Sequence, residues 1–265
     1  MHYQEYTPPN SLRHLVRCVW VFENSTHATM EDTIVADGFP ELILHCGVPS
    51  YEESLTGIRV RQTSVIAAGQ LTRPLRLGSP SGSSVLAIRF QPWGLSRFLP
   101  GSMHELTDCR QDVRGHHRGG LEGLQAALTQ APGSARVPLV FAYLIQQRLE
   151  APDPMVMAAI QTMESTCGKL RIAPLADRLG VSRRKLELAF RQDVGVTPKQ
   201  FARIVRFRRV HQEMLENPDR RWVEAALDAG FFDQPHLVRD FQQFAGRSPS
   251  QTLQDACDAP PHFCH

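Results

Sequence analysis

DQPHLVRDFQQFAG, residues 233–246, decides how the chain is read. Leu237 and Phe241 lie four apart and Phe244 follows on the next turn, so one stripe of a helix is apolar and faces a core. Asp233 stands where an N-cap carboxylate would accept from first-turn N–H groups. Pro235 falls inside that turn, where a missing N–H does no harm. His236, Arg239 and Gln243 are left on the wet side. The same grammar occurs at 182–195, SRRKLELAFRQDVG. Counting from Ser182 or Asp233, Leu186 and Leu237 stand at four, Phe190 and Phe241 at eight, Gly195 and Gly246 at thirteen, Pro198 and Pro249 at sixteen. Upstream, Ala176 precedes Gly180, and Ala226 precedes Gly230, by four residues. Each unit reads as a helix, a tight turn at glycine and a second helix, which is the helix-turn-helix pattern.

The physics of that motif assigns roles. Ile172, Leu175, Ala176 and Leu179 form a supporting stripe, and Ala176 is small where two helices must approach closely. The second helix of each unit then shows its N-terminal outer face: Arg183, Arg184, Lys185, Glu187 and Arg191 in one copy, Gln234, His236, Arg239 and Gln243 in the other. Arg, Gln and His carry the donors and acceptors that read base edges in a major groove. Between the copies, PKQFARIVRFRRVHQEMLE (198–216) begins with Thr197 as cap and Pro198 at the first helical position, and runs unbroken to Asn217-Pro218. At 1.5 Å per residue such a helix is roughly 28 Å long, suited to holding two reading helices about one duplex turn apart. Arg203, Arg206, Arg208 and Arg209 along it are candidates for phosphate, or for an ordinary basic surface.

Charge agrees with this layout. The net charge of the 265 residues is +2, yet residues 169–250 hold 16 Lys and Arg against 10 Asp and Glu, so the positive charge sits in one third of the chain. No apolar run approaches the roughly 20 residues that cross a bilayer, and MHYQEYTPPN lacks a signal-peptide pattern, so the expectation is a cytoplasmic protein without a membrane partner. Cysteines at 18, 46, 109, 167, 257 and 264 make no CxxC pair, which argues against a disulfide framework or zinc finger and against a zinc-bound repair module.

Up to about residue 90 the texture is that of strands. VRCVWVF, DTIVAD, ELILHCG, SVIAAGQ and VLAIRF are short, rich in Val, Ile and aromatics, and punctuated by Pro, Gly and Ser. WGLSRFL, GLEGLQAALTQ and VPLVFAYLIQQRLE then suggest helices, and EAPDP (150–154) a boundary. The expected fold class is therefore α+β and multidomain. A β-barrel or sandwich occupies 1–110, helices over 111–153 form a linker or dimerisation region, an all-α double helix-turn-helix domain spans 154–256, and a loosely ordered tail covers 257–265.

Residues 155–256 resemble the DNA-binding domain of the AraC/XylS family of bacterial transcription regulators. The likeness runs through both motifs and the bridging helix, and the ending DQPHLVRDFQQFAGRSP is specific to that family. It implies promoter DNA and RNA polymerase as partners, activation as the mode, and base reading by Arg184, Glu187, Leu188 and Arg191 in one helix and Gln234, Pro235, Val238 and Arg239 in the other. Together with His236, and with Ser182, Arg183, Lys185, Arg203, Arg206 and Arg208 on phosphate, these are the expected DNA contacts. The order YQEYTPP, CVWVFE, ADGFPELILHCG, GQLTRPLRL, VLAIRFQPWGL and HELTD is similar to a cupin-like domain often fused to such DNA-binding domains. That resemblance supplies architecture and no ligand.

Two features of this half invite chemistry. Arg73, Arg89 and Trp93 could hold a small anionic effector, or the arginines could pair with Asp37 or Glu41 and lock the fold. Asp37, Glu41, His45 and Cys46 could gather round a metal in a cupin-like enzyme, since Glu41 and His45 share a strand face. The preferred reading makes Asp37-Gly38 a turn and Glu41 a structural hydrogen-bond partner, with no metal, no cofactor and no catalysis. Cys257, His262, Cys264 and His265 have soft-ligand types at a spacing that fits no regular zinc module.

Overall fold

A computed structural model describes residues 1–258 apart from 55, 116–119, 218, 219, 221 and 232; the expected tail lies largely outside the described residues. The strands are β1 (His2–Tyr6), β2 (Val16–Glu23), β3 (Met30–Ile34), β4 (Glu41–His45), β5 (Tyr51–Glu53), β6 (Arg59–Arg61), β7 (Val65–Ala68), β8 (Leu75–Ser79), β9 (Ser84–Phe90) and β10 (Arg110–Asp112). They make two antiparallel sheets, one ordered β1-β2-β9-β4-β7-β10 and the other β3-β8-β5-β6. The β unit therefore reaches 112, two residues beyond the boundary read from the sequence.

The four inner strands of the first sheet, β2, β9, β4 and β7, are covered on both faces, which is why they are apolar almost throughout instead of alternating. Val19, Val21, Leu42, Leu44, Val65, Ala67, Leu86 and Ile88 turn to the helices. Cys18, Trp20, Phe22, Val85 and Ala87 form a separate cluster on the other face, with Ile43 packed against it. Register puts Glu41 directly opposite Arg89, and His45 opposite Val85, so Glu41, Ile43 and His45 share the face that looks toward the second sheet.

The helices follow as α1 (Leu95–Phe98), α2 (Leu121–Gln130), α3 (Gly133–Gln146), α4 (Pro154–Ser165), α5 (Ile172–Arg178), α6 (Arg183–Asp193), α7 (Pro198–Glu216), α8 (Trp222–Asp228), α9 (Gln234–Ala245) and α10 (Pro249–Asp258), with a 3-10 turn at Met103–Leu106. Within 111–153, α2 and α3 bury Leu121, Leu124, Leu128, Val137, Val140 and Leu144 in the main core, and Gln125 Nε2 donates to the His45 carbonyl at 2.8 Å.

EAPDP does not divide the interior. One core runs from Leu12 through the sheet and α1–α4 to Leu186 and Phe190 of the first motif and Val205 of α7, while a second holds Ile204, Phe207, Val210, Met214, Leu237, Phe241 and Phe244. Asp153, in the expected boundary, is instead the cap of α4, accepting from Met155 N at 2.8 Å. Arg97 pairs with buried Asp193, and His104 Nδ1 and Thr107 Oγ1 reach the Gly195 carbonyl at 3.0 and 2.7 Å. Gly195 has φ +99° and a Cβ there would lie 2.8 Å from the Met103 carbonyl oxygen, so only glycine lets the chain turn this close to the β unit.

Candidate nucleic-acid interface

Both motifs are built by the devices that their sequences announce. In the first, α5 buries Leu175 and Ala176, the chain turns at Gly180 (φ +66°), and the Ser182 hydroxyl accepts from Lys185 N at 3.2 Å to start α6. Leu186 and Phe190 are buried, which rotates Arg183, Arg184, Lys185, Leu188 and Arg191 into solvent. Glu187 is half-buried and accepts from Arg183 Nε at 2.8 Å, an i,i+4 pair that steadies both side chains.

In the second motif, α8 buries Ala225 and Ala226, the turn glycine is Gly230 (φ +80°), and Asp233 accepts from His236 N at 2.8 Å. Leu237, Asp240, Phe241 and Phe244 form the buried stripe of α9, leaving Gln234, Pro235 and Arg239 exposed. Arg239 Nε rests on the Pro235 carbonyl at 3.1 Å, and the His236 ring stands edge-on to Phe231 with centroids 5.5 Å apart. Gly246 closes the helix in the left-handed conformation at φ 72°.

Along α7, capped by Thr197 accepting from Gln200 N at 3.2 Å, the structure departs from the sequence reading. Arg203 donates to Asp240 Oδ1 at 2.6 Å and to Gln243 Oε1 at 2.7 Å and stacks on Phe244. Arg206 donates to the Gly168 carbonyl at 2.8 Å and lies over Phe231; its burial lowers its affinity for a proton. Arg208 donates to the Asp37 carbonyl at 2.6 Å, pairs with Glu164 and stacks on Phe39. These three guanidiniums, expected on phosphate, are engaged within the protein. The outward one is Arg209, paired with Glu213 at 3.5 Å. Gln243 likewise faces Arg203 instead of solvent alone. Sequence reasoning missed Asp240, the buried carboxylate that organises this arrangement; its place three residues after Leu237 and one before Phe241, on the apolar stripe, was the available signal.

The β unit does not bring Arg73, Arg89 and Trp93 together. Arg73 is largely exposed, 3.9 Å from Asp108, and Trp93 is buried in the main core with its indole N–H on the His14 carbonyl at 2.8 Å. Arg89 lies on the inter-sheet face, 2.8 Å from Glu41, 3.6 Å from Asp37 and 3.7 Å from Glu5. Burial opposes its charge, and Glu41 and Asp37 more than offset that, holding the guanidinium protonated. Asp37 Oδ1 accepts from Phe39 N at 3.0 Å round Gly38 (φ +88°), and Glu41 also accepts from the Trp20 indole at 2.9 Å. Among the described residues no group of three His, Cys, Asp or Glu could hold a metal ion, and no described helix is long and apolar enough to cross a membrane.

Comparison with known proteins divides the chain as the folds do. Residues 175–255 match a family model described as a helix-turn-helix domain, and residues 4–112 one described as a domain of unknown function (DUF6597). The HTH-type transcriptional regulator ArgR of Pseudomonas aeruginosa is 29% identical over 117 residues, 44% of this chain and 33% of that protein. The Msm operon regulatory protein of Streptococcus mutans is 33% identical over 82 residues, 31% of this chain and 29% of that one. The chain thus spans about a third of the length of the curated relatives it matches. Among solved structures, ToxT from Vibrio cholerae is similar at a TM-score of 0.45 and 12% identity over 88% of this chain and 95% of that one. Residues 175–255 are thus similar to a helix-turn-helix domain family, and the β unit before them to a domain family described as of unknown function.

Proposed function

We propose that the chain is a sequence-specific transcription regulator that places α6 and α9 in two successive major grooves of promoter DNA. The observation that carries this is the pairing of two capped, outward-facing helices with one continuous 19-residue helix, α7, whose first half packs in one core and second half in the other. Such a bridge fixes the spacing and the angle of the two reading faces before DNA is met. Base edges are read by Arg184, Glu187 and Arg191 on α6 and by Gln234, His236 and Arg239 on α9. Ser182, Arg183 and Lys185 at the start of α6 take phosphate, aided by the helix N-terminus. Arg203, Arg206 and Arg208 act at one remove, by holding α7 against its neighbours.

The relatives named above are transcription regulators, which supports a non-catalytic role at promoters. The same reading has the chain act in the cytoplasm as an activator beside RNA polymerase, under the control of a small molecule bound by the β unit. Leu139 and Ile145, exposed on α3, support a homodimer through the 111–153 helices. Selection of binding sites from a random duplex pool, followed by footprinting, tests the central claim. Two protected patches on one face of the duplex, about one helical turn apart, are expected. A single patch, or protection with no shared sequence, would refute it.

A further inference from the structure

Lys169 stands before the first motif in the sequence, and the fold lays it on the second. A Cβ built on Gly230, the glycine of the α8–α9 turn, would lie 2.7 Å from Lys169 Cγ and 3.0 Å from both Cδ and Cε, so three carbons of the lysine stem run across the bare backbone of that turn. The loop that carries Lys169 is fastened in the same place. Its Gly168 carbonyl accepts from Arg206 Nη2 at 2.8 Å, and the Arg206 guanidinium lies over the ring of Phe231, the neighbour of Gly230, at 5.4 Å. A Cβ on Gly168 would lie 2.2 Å from the Ala202 carbonyl oxygen, so the loop also presses on α7. The α4–α5 loop, α7 and the α8–α9 turn therefore meet at one point.

The stem is packed there, and the charge is not used inside the protein. Lys169 is exposed, and among the described residues its ammonium enters no ion pair or hydrogen bond. Glu164, Asp228 and Asp240, acids of α4, α8 and α9, are matched to Arg208, Arg220 and Arg203 instead. A lysine whose stem is held while its head stays in water keeps a point charge in one place. The chain sets where that place is. Gly230 is three residues from the Asp233 cap, so at most about 10 Å separates the covered turn from the end of α9 that enters a groove. A major groove is about 12 Å wide with phosphates along both edges, so a cation held beside the entering end of a helix meets a strand at its backbone.

We propose that Lys169 is a phosphate contact of the second reading helix, lent to it by the loop that leads into the first motif. The inference rests on the DNA-reading proposal and deepens it, since one motif then contributes to the half-site of the other. A lysine lacks the planar fork that grips a guanine edge, and this one lies flat along the turn, so phosphate is its target and not a base. Arg206 acts here as a positioning residue, because it ties the Gly168 carbonyl to α7.

Lys169→Met keeps an unbranched stem over Gly230 and removes the charge. In the full chain the slope of log affinity against log salt should fall by about 0.9, and binding at 0.1 M salt should weaken about eightfold, alike on the selected site and on random duplex. The melting temperature should stay unchanged, and Lys169→Arg should keep the slope of the wild type. Duplexes in which single phosphates are replaced by neutral methylphosphonates locate the contact. With wild-type protein, one replacement beside the half-site whose preference Arg239→Ala relaxes should weaken binding, and with Lys169→Met that replacement should have no further effect. An unchanged salt slope, a loss confined to the selected site, or a contact mapped beside the α6 half-site would overturn the inference and leave DNA reading by α6 and α9 in place. Wild-type protein with no preference for any duplex sequence would instead remove the DNA-reading proposal, and this inference with it.

Discussion

Arg203→Ala separates the two roles open to the arginines of α7. The Asp240 side chain is 0% exposed and its Oδ1 takes both Nε and Nη2 of Arg203, at 3.2 and 2.6 Å. Truncation leaves that carboxylate in a core formed with Leu237, Phe241 and Phe244, and also strips Gln243 of its partner. Breaking a buried pair from one side costs about 3–5 kcal/mol; with Arg203 itself 27% exposed, the lower end, about 3 kcal/mol, is expected. The loss should be local, because α9 belongs to the second core and α6 to the first. Hydrogen exchange on the full chain would show it as a fall in protection of α9 amides by roughly two powers of ten, with α6 little changed. The double change Arg203→Ala with Asp240→Ala should cost less than Arg203→Ala alone, since no charge is then stranded. If Arg203 is instead a phosphate contact, α9 protection stays within about 0.5 kcal/mol and the salt slope of DNA binding falls by about one. That outcome would refute the structural assignment.

Other expectations follow from the same geometry. Arg239→Ala and Arg184→Ala should each cost about 1–3 kcal/mol on the selected site and relax preference at one half-site only, read by binding to single-base variants; equal losses on random DNA would move the residue to phosphate. His211, packed between Phe207 and Phe241, is pulled down to about 4 by burial and by the nearby charge of Arg247. Between pH 6.5 and 4 the unfolded chain takes a proton there that the folded chain refuses, so stability falls with falling pH, by about 2 kcal/mol at pH 5 relative to pH 8. His211→Gln should flatten that part of a denaturation-against-pH series. Gly195→Ala should lower stability by about 1–3 kcal/mol through its positive φ and the Met103 carbonyl. Gly123→Ala, in α2 with nothing within 4 Å of a new Cβ, should raise stability by about 0.5–1 kcal/mol in the same melting assay.

The sequence carries the two motifs almost completely because their determinants are local. Ser182, Asp233 and Thr197 cap helices, Gly180 and Gly230 turn, and each signal lies within a few residues of what it controls. The strands with continuous apolar runs were equally plain. Those missed, β1, β5, β6, β8 and β10, have at most one side buried or lie at an edge: HYQEY has no buried residue, and the Gly78 of LRLGS is required because the Tyr51 ring lies 2.1 Å from where a Cβ would be. The roles of the α7 arginines could not be read, since spacing does not tell a guanidinium bound for phosphate from one bound to a buried carboxylate 37 residues away. Whether Arg89 grips Glu41 or a ligand is likewise decided by cross-strand register, which no local pattern encodes. The continuity of the core past residue 154 is a tertiary fact of the same kind.

The turn at 36–39 belongs to three neighbourhoods at once. Asp37 and Phe39 are part of the wall of a cavity between the two sheets, the Asp37 carbonyl receives Arg208 of α7, and the Ala36 N–H donates to the Phe244 carbonyl of α9 at 3.2 Å. Four residues of backbone thus touch the cavity between the two sheets, α7 and α9 at once. Linkage then imposes symmetry on anything that shifts this turn. A molecule whose binding in the cavity alters affinity for DNA by some factor must find its own affinity altered by that same factor when DNA is bound, so the promoter acts as an effector of the pocket as much as the pocket acts on the promoter.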